Sequence, residues 1–246
     1  MLCHLPGKPG EGVLTSLTHP IDTCVLISAS EEWRAFLPHF PQARIESTPY
    51  GDCFAMAVDG YPVVFLHGGW GKVAAAGSTQ YAILRWSPAR IVNIGTCGGF
   101  HGQVERGQVI LVAKTIIYDI IEQMGDPDDA IRHYTVDFDL TWLPRPTPQP
   151  VTTGTIVSAD RDIVSADIPD LIRCYNAAVA DWESGPIAWV ARRNQVPCLI
   201  LRAVSDLVNE SGGEAYQGDG FFQEQCKPLM AEFVRHLPAW LEAFRH

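Results

Sequence analysis

Short, continuous apolar runs recur along the chain and alternate with segments whose apolar residues follow helical spacing. Runs typical of buried strands occupy residues 23–29, 90–94, 154–158, 177–182 and 198–204. Amphipathic or Ala-rich helical segments occupy residues 72–86, 183–194 and 221–244. Strands that alternate with helices predict an α/β fold whose largely parallel sheet is covered on both faces.

The remaining patterns predict how the chain is divided. Weaker strand signals lie at residues 43–48, 53–58, 63–66, 107–113 and 115–118, and Ser30 is a plausible N-cap for the helix after the first strand. Residues 124–150 are rich in Asp and Pro and show no periodicity, which predicts a long loop. We expect residues 1–20 to form a flexible tail and residues 21–246 to form one domain.

Charge and cysteine usage exclude several classes of protein. The formal charge is -10 and the 18 Lys and Arg residues are scattered, which argues against binding to nucleic acid. No stretch is apolar enough to span a bilayer, and the first twenty residues do not resemble a signal peptide, so no membrane partner is expected. Seven cysteines without a C-x-x-C pair favour a reducing compartment, and we expect a cytoplasmic protein.

Polar residues that follow the predicted strands are the candidates for chemistry, because ligands of open α/β sheets bind beyond the carboxyl ends of the strands. They are Glu31, Glu32, the glycine-rich residues 95–99, Asp119, Trp182, Glu183, Ser205 and Asp206. Converging carboxylates suit acid–base cleavage of a polar substrate. The histidines lack metal-binding spacing, and the glycines lack the dinucleotide and P-loop spacings, so neither metal nor cofactor is expected. Each residue also has a structural interpretation, as a turn, a helix cap or a partner of a helix dipole.

Several segments, taken in order, resemble one family. GGWGKVAAA (residues 68–76), VNIGTCGGF (residues 92–100) and LILRAVSDLV (residues 199–208) are similar to stretches of the methylthioadenosine/S-adenosylhomocysteine nucleosidases, within the purine nucleoside phosphorylase superfamily. The second and third segments are most similar to the plant-type methylthioadenosine nucleosidases. The resemblance implies a single domain with a central mixed, largely parallel twisted sheet flanked by helices, a homodimeric assembly, and cleavage of a purine from its ribose.

The resemblance also implies roles for individual positions. Asp206 would protonate purine N7 with Ser205 orienting it, Glu183 would bind the ribose hydroxyls beside Trp182, and Glu32 would hold the attacking water. The segment close to ribose and base would be Thr96, Cys97, Gly98 and Gly99. Direct spacing from Ala29 places Trp33 where the family has its water-activating carboxylate, so Glu32 requires a one-residue gap and Glu31 stays an alternative.

Asn93 bears on the choice of acceptor. Phosphorylases of the superfamily have an arginine at this position, which binds phosphate, so asparagine favours water as the acceptor. Two alternatives stay open, namely a purine nucleoside phosphorylase and a nucleoside-binding relative without catalysis. The 5′ substituent is also open: Tyr216, Phe221 and Phe222 could cover a methylthio group, although aromatic residues at the start of a long helix favour packing in the core.

Overall fold

The computed structural model describes residues 21–209, 212–217 and 220–245, without the side chains of Tyr216 and Gln217. The tail expected at residues 1–20 lies outside the described residues, as does the expected position of the Tyr216 side chain.

Strands and helices alternate along the described chain. The strands are β1 (Thr23–Ile27), β2 (Glu46–Ser47), β3 (Asp52–Val58), β4 (Tyr61–His67), β5 (Arg90–Phe100), β6 (Val109–Ile117), β7 (Val136–Asp137), β8 (Thr152–Ser158), β9 (Ala177–Asp181), β10 (Cys198–Asn209) and β11 (Gly212–Gly213). The helices are α1 (Ser30–Phe36), α2 (Lys72–Trp86), α3 (Pro127–His133), α4 (Ile168–Tyr175), α5 (Ser184–Arg193) and α6 (Phe221–Ala243).

The strands form one mixed sheet in which ten follow the order β11-β10-β6-β8-β9-β5-β1-β4-β3-β2, and β7 pairs with β6 off this path. Strand β5 also pairs directly with β10, so β5, β10, β6, β8 and β9 close into a ring. The pairs β1–β5, β5–β10, β6–β8 and β8–β9 are parallel, whereas β5–β9 and β6–β10 are antiparallel. The expected mixed sheet flanked by helices is therefore confirmed.

The alternation of side chains along each strand explains how helices cover both faces. From β1, Val25 and Ile27 join a core cluster with α1 and α6, where Phe36 and Phe233 are buried. Cys24 and Leu26 point the other way, into a second cluster with α2 and α5. No helix in the described part of the chain is long and apolar enough to cross a membrane.

Several boundaries differ from the predictions because strand pairing continues past the apolar runs. Strand β5 extends through the glycine-rich residues to Phe100, and β10 continues to Asn209, so neither residues 95–99 nor Ser205 and Asp206 form a loop. Within the region expected to be a loop, residues 124–150, lie α3 and β7. Ala29, not Ser30, is the N-cap of α1, because the Glu32 carboxylate accepts a hydrogen bond from the Ala29 amide at 3.1 Å.

Candidate active site

A cavity of about 510 Å³ opens at the carboxyl ends of the parallel strands β1, β5 and β10. Glu32, Thr96, Glu183 and Asp206 line it together, although they lie far apart in sequence. Its other lining residues are Ala29, Ser30, Glu31, Trp70, Cys97, Gly98, Tyr118, Arg161, Asp162, Ile163, Ala180, Asp181, Trp182, Ser205, Ala215 and Phe222. The volume lies within the range of small-molecule sites.

Asp206 lies at one end of the cavity, where β10 is irregular. The register between β10 and β5 shifts between Val204 and Asp206, so Ser205 is an extra residue in its strand. A regular strand would turn neighbouring side chains to opposite faces, but here the Ser205 hydroxyl lies 2.7 Å from Asp206 Oδ1. Burial raises the pKa of Asp206 above its ordinary value, and hydrogen bonds from Ser205 and the Ala215 amide only partly oppose that rise.

Glu32 also lines the cavity, where hydrogen bonds from Thr96 hold its carboxylate. Its Oε1 accepts hydrogen bonds from the Thr96 amide at 2.5 Å and the Thr96 hydroxyl at 2.7 Å, and the side chain is buried. Glu31 instead forms an exposed ion pair with Arg34. Trp33 packs against Phe54 and His67 in the core. Of the three positions considered for the water-activating carboxylate, only Glu32 presents a buried, fixed carboxylate to the cavity.

Glu183 is buried beside a second carboxylate. Its Oε1 accepts a hydrogen bond from the Gly71 amide at 2.9 Å. Burial and the nearby Asp181 raise the pKa of Glu183 to about 8, while Arg202 and the Gly71 amide lower it. The environment of Glu183 therefore favours the protonated form more than water does.

Arg202 is the cation behind these carboxylates. It is 1% exposed, and its Nε donates to Asp181 Oδ2 at 2.9 Å and to the Ser184 hydroxyl at 3.0 Å. Its Nη2 donates to Asn93 Oδ1 at 2.7 Å, and Asn93 in turn donates to the Leu26 carbonyl. A Cβ atom on Gly95 would collide with Arg202 Nη1 and lie 2.8 Å from Glu32 Oε1. Glycine at that position lets the guanidinium and the Glu32 carboxylate approach the same stretch of backbone.

The structure brings together most of the residues that the sequence predicted, with the exceptions of Gly95, Gly99 and Asp119; Gly95 lies against Arg202 and Glu32 behind the lining. Gly99 does not line the cavity; a Cβ there would press on Val104, Val204 and Leu207, so packing explains this glycine. Asp119 also lies outside the lining and pairs with Lys72.

Other residues of the cavity were not found by sequence reasoning. Arg202 and Asp181 lie inside apolar strand runs, and such a run gives no sign that a buried ion pair faces a cavity. Trp70 lies 5.3 Å from Trp182, measured between ring centroids, and both line the cavity. Phe222 lines it too, and Phe221 lies under the Arg106 guanidinium, so the expectation that both phenylalanines pack in the core was wrong. They belong to the first turn of α6, which reaches the cavity before the helix enters the core.

The sequence matches a known protein family and individual proteins related to it. The family model described as the phosphorylase superfamily matches residues 23–238. The 5′-methylthioadenosine/S-adenosylhomocysteine nucleosidase of Bacillus cytotoxicus is 26% identical over 204 residues, which cover 78% of this chain and 88% of that protein. These matches confirm the resemblance that the sequence segments indicated; the closer likeness to plant-type enzymes stays a prediction.

Solved structures share the fold. The 5′-methylthioadenosine/S-adenosylhomocysteine nucleosidase of Campylobacter jejuni superposes with a TM-score of 0.71 at 19% identity, covering 89% of this chain and 99% of that one. The futalosine hydrolase of Helicobacter pylori superposes with a TM-score of 0.74 at 17% identity, covering 88% of this chain and 97% of that one.

Proposed function

The chain belongs to the phosphorylase superfamily, and from that premise we propose that it is a nucleosidase, which hydrolyses the N-glycosidic bond of a purine nucleoside. The observation that carries the proposal is the meeting of Glu32, Glu183 and Asp206 in one cavity. The Bacillus cytotoxicus relative named above is a 5′-methylthioadenosine/S-adenosylhomocysteine nucleosidase, and we propose these two compounds as the substrates.

The charges of the cavity fit the reaction. Cleavage of the bond builds negative charge on the purine and positive charge on the ribose. A neutral Asp206 donates its proton to purine N7, and the Ser205 hydroxyl, 2.7 Å from Oδ1, orients the carboxyl group. Glu183 binds the ribose hydroxyls and Glu32 holds the attacking water, so carboxylates stabilise the cationic sugar. Thr96, Cys97 and Gly98 line the path between base and sugar.

Water rather than phosphate is the acceptor. Asn93 is fully buried and uses its amide group to hold Arg202 and the Leu26 carbonyl. Arg202 is in turn engaged by Asp181 and Ser184, and Arg161, which also lines the cavity, pairs with Asp167. Arg202 and Arg161 therefore already have acidic partners, which disfavours a bidentate phosphate site at either of them.

The 5′ substituent extends toward an aromatic wall. Trp182 immediately precedes Glu183, the residue proposed to bind the ribose. Trp70 immediately precedes Gly71, whose amide donates a hydrogen bond to Glu183. The ring centroids of the two indoles lie 5.3 Å apart, and Tyr118 and Phe222 add two further aromatic rings to the lining. Such a wall suits an apolar thioether carbon.

Assembly and compartment complete the proposal. Large apolar side chains are exposed on the described surface, with Val73 and Ile121 both 85% exposed and Met124 98% exposed. A subunit interface that covers such side chains would remove them from water, so their exposure supports a homodimer, for which light scattering should give about twice the 27.1 kDa chain mass. Six described cysteines are unpaired, which supports a cytoplasmic location.

One experiment separates the alternatives. The protein is incubated with a panel of purine nucleosides that includes 5′-methylthioadenosine and S-adenosylhomocysteine, with and without phosphate, and the products are separated by chromatography. We expect free base and free sugar without phosphate. A sugar 1-phosphate that forms only with phosphate would mean a phosphorylase, and binding without any product would mean a non-catalytic nucleoside-binding protein.

A further inference from the structure

Three charged residues outside the cavity lining form a closed set of contacts, here termed the Lys72 cluster: Lys72, Asp119 and Asp160. Lys72 Nζ lies 2.5 Å from Asp119 Oδ1 and 4.0 Å from Asp160 Oδ2. The Lys72 amide donates to Asp160 Oδ1 at 2.7 Å, and the Asp160 amide donates to Asp119 Oδ2 at 3.0 Å. The cluster therefore ties the start of α2 to the segments that follow β6 and β8.

The cluster is adjacent to the contact between Gly71 and Glu183. Gly71 is the N-cap of α2, with a φ of +87°, a conformation that favours glycine. Its amide points at Glu183 Oε1, 2.9 Å away. A Cβ on Gly71 would lie 3.3 Å from Asp160 Oδ1, so the Asp160 carboxylate packs directly against the residue that supplies this amide.

We propose that the Lys72 cluster is a positioning device, which holds the Gly71 amide on the Glu183 carboxylate and so fixes that carboxylate for the ribose hydroxyls. The inference rests on the proposed nucleosidase function. Lys72, Asp119 and Asp160 act through Gly71 and touch no substrate. The direction of the Gly71 amide depends on the position of the first residue of α2, which is Lys72. The hydrogen bonds that Lys72 donates, from its amide to Asp160 and from its ammonium group to Asp119, fix that position.

The electrostatics of Glu183 explain why one amide matters. The charged groups that face Glu183 are Asp181 from β9, Arg202 from β10 and Glu32 from α1. Burial and the two acidic neighbours raise the pKa of Glu183, and Arg202 and the Gly71 amide oppose them. Loss of the amide contact would raise the pKa of Glu183 further, since a hydrogen bond to an ionised carboxylate favours the charged form.

The test compares the pH dependence of kcat/KM for the wild type, Lys72→Met and Lys72→Arg. If Glu183 binds the ribose as a carboxylate, the wild-type kcat/KM should rise with pH toward about 8. In Lys72→Met we expect the rise to occur about one pH unit higher. At a fixed pH on the acid side of the rise, kcat/KM of this variant is then about tenfold lower than that of the wild type. Lys72→Arg retains the charge and should recover part of the loss.

Lys114→Met is the matched control. Lys114 also forms an ion pair with an aspartate, Asp137, at 2.9 Å, but on β6 and β7 and outside the cavity lining. We expect its pH profile to match the wild type. If Lys72→Met only lowers the melting temperature, with an unmoved profile, or if Lys114→Met shifts the profile equally, the positioning role is contradicted. Should Lys72→Met not fold, Asp160→Ala, which removes the acceptor of the Lys72 amide, carries the same expectation.

Failure of the proposed function is a separate outcome. It would appear as no base release by the wild type from any nucleoside of the panel. In that case calorimetric binding of adenosine across the same pH range replaces turnover as the readout. A wild-type affinity that rises toward pH 8, and a Lys72→Met profile displaced to higher pH, would support the positioning role without catalysis; superimposable profiles would overturn it.

Discussion

The part of the cavity around Asp206 and the part around Glu183, here termed the base end and the sugar end after the roles proposed for them, differ in their electrostatics. At the base end burial raises the pKa of the Asp206 carboxyl group, which favours its protonated form. At the sugar end three carboxylates, Glu32, Asp181 and Glu183, surround one guanidinium, that of Arg202. The base end is thus built to deliver a proton, and the sugar end has an excess of acidic groups that can stabilise a cation.

The number of carboxylates at the sugar end explains why the buried cation Arg202 lies there, although the ribose of the proposed substrate becomes positive during the reaction. Three ionised carboxylates in one buried region would repel one another strongly. Arg202 compensates part of that charge, and the raised pKa of Glu183 reduces it further, because it favours the protonated form. In the proposed mechanism the remaining excess of acidic groups stabilises the developing ribosyl cation.

The largest effect should come from the base end. Asp206→Asn removes the transferable proton but keeps the shape of the side chain, and general acid catalysis contributes on the order of a hundred- to ten-thousand-fold. We expect kcat for purine release to fall by about that range with little change in melting temperature. Asp137→Asn, at an exposed ion pair on β7, serves as the matched control. Near-normal turnover in Asp206→Asn would remove this residue from the mechanism.

At the sugar end, adjacent glutamates on α1 allow a sharper comparison. Glu32→Gln loses the carboxylate that accepts both Thr96 hydrogen bonds, and we expect kcat to fall by about a hundredfold, at the lower end of what a positioned base contributes. Glu31→Gln removes the charge that pairs with Arg34, and although Glu31 also lines the cavity we expect kcat to change by less than about twofold, since exposed pairs of this kind contribute little. Single-turnover measurements separate chemistry from product release. The reverse order of effects would transfer the water-activating role to Glu31.

Sequence reasoning reached one end of the cavity more completely than the other. The base-end residues Ser205 and Asp206 follow an apolar run directly, so the rule that ligands bind beyond strand ends selected them. The same rule also selected Asp119, which pairs with Lys72, because the rule finds the correct sheet edge without distinguishing a cavity from its surroundings. The glycine-rich residues 95–99 were found as well, but their strand pairing with β10 depends on a distant segment.

The sugar end depends on contacts that no local pattern records. Arg202 lies within the apolar first part of β10. Its role depends on its hydrogen bonds to Asp181 and Asn93, which belong to the distant strands β9 and β5. The bulge at Ser205 likewise results from the register between β5 and β10. Sequence periodicity therefore sufficed for the alternation of elements, whereas bulges, buried ion pairs and the reach of α6 to the cavity required the tertiary structure.

The smallest expected effect tests the proton at the sugar end through stability rather than activity. The pKa of Glu183 is about 8 in the folded protein, against about 4.3 for an unperturbed glutamate. Between these values the folded state binds a proton that the unfolded state lacks, so the contribution of Glu183 to stability is complete below the lower value and is lost as the pH rises toward 8.

The Glu183→Gln variant has no ionisable group at this position, so it does not undergo this loss of stability as the pH rises. We therefore expect the melting temperature of Glu183→Gln, measured without ligand, to approach that of the wild type near pH 5 and to exceed it progressively toward pH 8, by roughly 2–4 °C for each kcal/mol. Glu31→Gln, whose glutamate is partly exposed, should show no such divergence. A constant difference between Glu183→Gln and the wild type across this range would mean that Glu183 is already ionised at neutral pH. The sugar end would then hold its full negative charge before any substrate arrives, and Arg202 alone would have to compensate it.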